Sequence, residues 1–335
     1  MSLKKIFLFL FTVLLGSMLL AGGYFYHLII KPQSPESRPE MVRINAGQSF
    51  KSITSMLQEQ KIIQDARVLY YWGRVTGMAR HVQAGHFQID TAWSVQEILE
   101  HLTSGREVLY RLQIPEGLTW WEIGRILERR ELACFEEFRR VVHDHDFLAE
   151  QGIFALNAEG FLYPETYYLS PSRDVGAERL VRIMINQFWR STSGLWEEKS
   201  FEEIYEMINL ASLIEKETGS AAERRKISGV FHNRIQSNML LQCDPTIIYG
   251  LGEDFEGRLR RKHLDDRENP YNTYRLRGFP PTPICSPGRA SMAAALDPQE
   301  HDYYYFVSRN DGTHHFSKTL QEHNRAVYRY QISNR

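Results

Sequence analysis

The chain opens on an apolar run and then changes rhythm. Lys4 and Lys5 precede Ile6 to Tyr26, 21 residues without a charge. At 1.5 Å per residue a helix of that length reaches roughly 30 Å, the hydrocarbon thickness of a bilayer, whereas the apolar part of a cleaved signal is shorter. No A-x-A cleavage site follows, and Gly22, Gly23, Tyr24 and Tyr26 suit a retained helix with an interfacial end. Lysines on the short flank keep residues 1–5 in the cytoplasm and send the rest across. The expectation is a single-pass anchor at 6–30, an extracytoplasmic remainder, and a stiff Pro-rich spacer at 31–40, KPQSPESRPE.

From Met41 the alternation becomes that of short strands and amphipathic helices. The run VRINAGQSFKSITSMLQEQKII reads as a strand, a turn at Gly47, a cap at Ser49 and a helix with Ile53, Met56 and Leu57 at helical spacing. Seventy residues on, LQIPEGLTWWEIGRILERREL repeats the order, with Gly117, Thr119, Ile123 and Leu127 in the places of Gly47, Ser49, Ile53 and Leu57. Between them lie a strand at 86–89 and a helix from Ser94 to Leu102 that stops at Gly105. Helical patterning dominates from Phe135 to Trp196, broken by EGFLYPETYYLSPS, an aromatic stretch with Pro164 and Pro171 that suits either a sugar-binding groove or a cap on a core. The fold class is therefore α+β: an anchor helix, a small βα module at 41–108 and a larger mixed domain at 109–335.

Two helices follow, EEIYEMINLASLIEKETG and AAERRKISGVFHNRIQSN. On the first, Ile204, Met207, Ile208, Ala211 and Ile214 form one apolar stripe. Glu215 falls on that stripe, while Glu217 points roughly 160 degrees away, so the two carboxylates do not face each other. A carboxyl in a dry cleft holds its proton near neutral pH and can pass it to a leaving glycosidic oxygen; a plain ion pair with Lys216 or Arg224 is the other reading of either residue. Turn-rich segments add Gln242, Asp244 and Thr246 in LQCDPTIIYG, and Asn269, Asn272, Thr273 and Tyr274 in NPYNTYRLRGFPPTPICSPG.

Composition narrows the field. Forty Lys and Arg against 41 Asp and Glu give a net charge of -1, which argues against nucleic acid as a partner. Three cysteines, Cys134, Cys243 and Cys285, form no C-x-x-C motif. No G-x-x-x-x-G-K-[ST], G-x-G-x-x-G, G-x-S-x-G or H-E-x-x-H pattern occurs, and His314, His315 and His323 lack metal-ligand spacing, so neither a cofactor nor a metal is expected.

The segments ASLIEKETG, VFHNRI, LQCDPTIIYG, YNTYRLRGFPPTPICSPG and YYFVSRNDGTHHFSKTLQEHN, in this order, resemble the YceG-like family of endolytic murein transglycosylases over nearly the whole chain. That resemblance implies an anchor, a LysM-like module and a catalytic domain in an inner membrane, with the working part periplasmic. It implies a lytic transglycosylase, a lyase that cuts the β-1,4 bond between N-acetylmuramic acid and N-acetylglucosamine inside nascent peptidoglycan strands, terminates their elongation and leaves 1,6-anhydro ends. The second Glu of the family's E-K-E-T motif, here Glu217, would be the acid and then the base, with Glu215 the second choice. Gln242, Asp244, Thr246, Asn272, Thr273 and Tyr274 would shape the glycan cleft, and penicillin-binding synthases would be partners. Four positions depart from the family pattern: Cys243 for a small hydroxyl residue, Thr282 for a turn glycine, and Cys285 with Ser286 before Pro287. Two other functions stay open: a water-using muramidase with Asp244 or Glu159 as base, and a non-catalytic glycan-binding scaffold.

Overall fold

The computed structural model describes residues 3–105, 108–169 and 176–333, and in it the apolar start is one helix, α1 (Leu3–Ile30). Its stretch Leu10–Ile30, 21 residues of mean hydropathy 1.7, is long and apolar enough to cross a membrane. The last turns of α1 do something else. Ile29 is 1% exposed, and it joins Phe25 and Leu28 in the same apolar cluster as Val42, Leu69, Phe87 and Leu99.

The chain divides into two units, Met1–Leu112 with Tyr168–Asp174, and Gln113–Tyr167 with Val175–Arg335. In the first, β1 (Pro39–Ile44) pairs antiparallel with β2 (Gly85–Asp90), Val42 opposite Phe87. Between these strands lie α2 (Phe50–Glu59) and α3 (Ala66–Val75), and α4 (Val95–Thr103) follows β2. The Pro-rich segment expected as a spacer is tied down instead. Pro32 bridges to Ser94, the Gln33 N–H donates to the Trp93 carbonyl at 3.1 Å, and Thr91 Oγ1 donates to the Glu36 carbonyl at 2.8 Å. Because α1 already ends inside the core, there is no gap for a spacer to cross.

The two strand–turn–helix copies fold alike. Gly47 and Gly117 turn at φ of 78° and 77°, a region that favours glycine. Ser49 caps α2 and Thr119 caps α5 (Trp120–Arg129), and Ile53, Leu57, Ile123 and Leu127 are buried. Each helix ends in a Schellman motif with a non-glycine residue in the left-handed region: the Lys61 N–H donates to Gln58 and Ile62 to Leu57, Glu131 to Glu128 and Leu132 to Leu127. A second helix follows both times, α3 and α6 (Phe135–Val142).

The remaining elements are β3 (Tyr110–Gln113), which pairs with β4 (Thr166–Leu169), and α7 (His145–Glu150) between them. Beyond β4 come α8 (Ala177–Thr192), α9 (Phe201–Glu217), α10 (Arg224–Gln236), α11 (Asp244–Gly250), α12 (Arg261–Asp265) and α13 (Arg289–Leu296). A hairpin of β5 (Tyr305–Ser308) and β6 (His314–Ser317) precedes α14 (Leu320–Val327). The aromatic stretch caps a core rather than lining a groove: Phe161, Tyr163 and Tyr167 are buried, and Phe161 packs edge-on to Phe188 at 5.1 Å. Pro171, at the end of that stretch, lies outside the described residues.

Candidate active site

Helix α9 is capped by Ser200, whose hydroxyl accepts from the Glu203 N–H while the Glu203 carboxylate accepts from the Ser200 N–H. From Ile208 to Ile214 every residue is buried. One row of polar residues at helical spacing laces α9 to the segment 280–291. Tyr205 donates to the Pro281 carbonyl (3.2 Å), Asn209 donates to that of Pro280 (2.8 Å), and Ser212 Oγ accepts the Ile284 N–H (3.0 Å). Glu215 ends the row: it accepts from the Gly288 N–H at 3.0 Å and from Ser291 Oγ at 2.6 Å, and pairs with Arg224 at 3.8 Å. Its side chain is only 8% exposed. The wheel is right that Glu215 turns inward, and the inward side is fully occupied.

Glu217 is the last residue of α9, since Thr218 is extended at φ -148°, ψ 133°. It is half-buried in the wall of a cleft of about 650 Å³ that also takes in Arg234, Gln242, Asp244, Tyr274 and His314. The Cys243 thiol donates to Glu217 Oε1 at 3.0 Å. Burial pushes the Glu217 carboxyl above the ordinary carboxylate range, and the negative Asp244 adds to this. The thiol, His314 and Arg234 pull the other way.

Cys243 reaches Glu217 because two loops brace each other. The Gln242 N–H donates to the Thr273 carbonyl (3.1 Å), the Cys243 N–H donates to Thr273 Oγ1 (3.0 Å), and Thr246 Oγ1 donates to the Cys243 carbonyl (2.7 Å). Cys243 is the N-cap of α11, Asp244 is its first residue, and Pro245 in the first turn suits a helix start. Tyr274 donates to Asp244 at 2.6 Å, which fixes that carboxylate at the cleft rim. Arg234 is spent on the frame: its guanidinium donates to the carbonyls of Tyr304 (2.6 Å) and Leu241 (2.8 Å).

Residues 42–329 match the YceG-like family. The chain belongs to that family. An endolytic murein transglycosylase of Bacillus subtilis is 30% identical over 332 residues, covering 93% of this chain and 91% of the relative. One from Streptococcus pneumoniae is 24% identical over 96% of this chain, which spans 65% of that longer relative. The 2.6 Å crystal structure of a YceG-like protein from Listeria monocytogenes superposes with a TM-score of 0.59 at 30% identity, covering 87% of this chain and all of the other.

In this YceG-like chain the residues singled out from sequence separate into two groups. Glu217, Gln242, Asp244 and Tyr274 meet at the cleft. Thr246, Asn272 and Thr273 lie behind its wall, buried and bonded within the protein; Asn272 Nδ2 donates to the Leu264 carbonyl at 3.2 Å and its Oδ1 accepts the Tyr274 N–H at 3.0 Å. A sugar cannot reach them, so their part is to hold the loops that carry Cys243 and Tyr274. Glu159 is elsewhere: it is 0% exposed, accepts the Trp120 N–H at 3.0 Å, and burial raises its carboxyl to about 8. No water could be activated there. Thr282, in place of a turn glycine, has no positive φ and bonds through Oγ1 to the Pro283 carbonyl (2.7 Å) and the Tyr271 hydroxyl (3.0 Å). Residue patterning alone passed over Arg234 and Glu223; Glu223 meets His314 across 91 residues of sequence, a pairing no local periodicity encodes. Among the described residues no group of three His, Cys, Asp or Glu is placed to hold a metal.

Proposed function

We propose that the protein is an endolytic peptidoglycan lytic transglycosylase with Glu217 as its acid. The observation that carries this reading is one carboxyl, raised by burial, facing a cleft of about 650 Å³ on a chain of the YceG-like family. Protonated Glu217 gives its proton to the oxygen leaving C1 of N-acetylmuramic acid. The oxocarbenium-like centre at C1 is then closed by the sugar's own C6 hydroxyl, whose proton passes to a base of the cleft as O6 bonds to C1; this leaves a 1,6-anhydro end and consumes no water. Glu215 is bound to Gly288, Ser291 and Arg224 and takes no part in proton transfer.

The strand–helix–helix–strand run of the first unit, with its antiparallel β1–β2 pair, supports reading it as a LysM-like glycan-binding module. Helix α1 supports a single-pass anchor with the catalytic part outside the cytoplasm, where synthases deliver nascent strands.

The test is mass spectrometry of uncrosslinked glycan strands incubated with the full chain in detergent, as wild type, Glu217→Gln and Glu215→Gln. Wild type should yield internal cuts with anhydro ends. Glu217→Gln should lose about 10²-fold or more in rate at an unchanged melting temperature, while Glu215→Gln should lower the melting temperature by loosening α13. Reducing ends in place of anhydro ends would make Asp244, the other carboxylate of the cleft, the base of a hydrolase. Intact glycan with folded wild type would leave the scaffold function.

A further inference from the structure

The mechanism above uses one side chain of the cleft, yet a second titratable group stands in the same wall. His314 opens β6 and lines the cleft with Glu217. Its position is imposed by Glu223, just before α10. One Glu223 oxygen accepts the His314 backbone N–H at 3.0 Å and the other meets Nδ1 at 2.8 Å. The two side chains are 12% and 15% exposed, so this contact is shielded from solvent. The ring is held edge-on to Phe306 at 5.5 Å.

A carboxylate only accepts, so the Nδ1 proton is held by the Glu223 hydrogen bond and Nε2 is the ring nitrogen left for proton exchange. Among the described residues nothing hydrogen-bonds to Nε2. His314 lines the cleft, and an imidazole oriented by a carboxylate through one ring nitrogen can take a proton from a hydroxyl through the other. The other acidic or basic side chains lining the cleft are Asp244, Arg234 and His323; Asp244 is engaged by Tyr274, Arg234 by backbone carbonyls, and burial lowers the pKa of His323.

We propose that His314, oriented by Glu223, is a second catalytic residue: the base for the C6 hydroxyl. The inference rests on the transglycosylase reading and divides its two proton transfers between two groups. As the bond from C1 to the leaving oxygen breaks, the Glu217 proton passes to that oxygen. As O6 bonds to C1, the O6 proton passes to His314 Nε2, and the positive ring is balanced by the Glu223 carboxylate. The proton then returns from His314 to Glu217 through solvent, so the cycle closes with no other reactant.

The experiment uses the full chain in detergent and uncrosslinked glycan, comparing wild type, His314→Ala, His314→Gln and Glu223→Gln with and without free imidazole. His314→Ala should lose about 10²-fold in kcat with little change in KM, and imidazole should restore activity in a concentration-dependent way. His314→Gln, which fills the space, should be equally slow and not rescued, and Glu223→Gln should fall in between. A group that merely shapes the wall would not respond to imidazole. The proposal is overturned if His314→Ala keeps the wild-type kcat, or if it melts like wild type, is slow, and gains nothing from imidazole. Should His314→Ala fail to fold, His314→Gln decides: a wild-type rate overturns the proposal, and a 10²-fold loss with wild-type melting supports it. Wild type without anhydro ends sinks the underlying reading, whereas active wild type with fully active His314 variants sinks only this inference.

Discussion

Burial raises the Glu217 carboxyl, and Cys243 opposes that rise. Its thiol donates to Glu217 Oε1 at 3.0 Å, the place where the family pattern led us to expect a small hydroxyl. A thiol is a weak donor, so it lowers the raised carboxyl only partly. Replacing it by serine puts a stronger donor on the same oxygen and stabilises the ionised form. The acid must be protonated to work, and activity therefore falls as pH rises through its pKa. Cys243→Ser should move that alkaline limb of the kcat/KM profile to lower pH, with the acidic side little changed; an unmoved or upward-shifted limb would show that the thiol does not tune the acid. At the same scale, Glu215 and Glu217 show what a sequence tells and withholds. Helical spacing sets the two carboxylates apart, and in the structure they meet different partners: Glu215 meets Gly288 and Ser291, and Glu217 meets Cys243. Spacing could not give what waits at the end of each, because Gly288 and Ser291 are brought to Glu215 from more than 70 residues away. The inward carboxylate is the paired one, and the one beside Cys243 is raised by burial.

Elements were legible where caps and periodicity agree. Ser49, Ser94, Thr119 and Ser200 each cap the helix expected after them, and the duplicated strand–turn–helix copies fold as copies. The Schellman ends escaped notice because Lys61 and Glu131 stand where glycine would have signalled them. The boundary of the first unit was misplaced for a physical reason. An apolar residue looks the same whether lipid or protein covers it, so Phe25, Leu28 and Ile29 read as membrane-facing although the unit's own core covers them. A fragment starting at Met41 lacks these side chains, the Pro32–Ser94 bridge and the first two residues of β1, while one starting at Tyr24 keeps them. Losing a buried Ile alone costs about 2–5 kcal/mol when cut to Ala, and each kcal/mol moves a domain of this size by roughly 4–8 °C. Thermal unfolding followed by circular dichroism should accordingly show the first unit of the Met41 fragment melting at least about 10 °C below that of the Tyr24 fragment. Coincident curves would mean that the end of α1 adds nothing to that core.

For the whole molecule, the same helix decides whether the chain stays attached. With Phe25 to Ile29 given to the first unit, residues 6–24 remain for lipid, 19 in number. At 1.5 Å each they reach roughly 29 Å, still the thickness of the hydrocarbon. The helix passes from that stretch into the folded core without a break at Gly22 or Gly23, so a chain that keeps α1 in a membrane would hold its first unit at the bilayer surface rather than on a tether. The expected outcome is an intact mass, for protein extracted from membranes, that includes residues up to Tyr24, together with retention of the protein in the membrane pellet after alkaline carbonate. Protease added from the extracytoplasmic side should then destroy both units and spare an epitope fused before Lys4. A mature N-terminus between residues 22 and 25, with the protein in the soluble fraction, would instead make α1 a signal whose last turn is left behind as core, and would detach the glycan cleft from the site of synthesis.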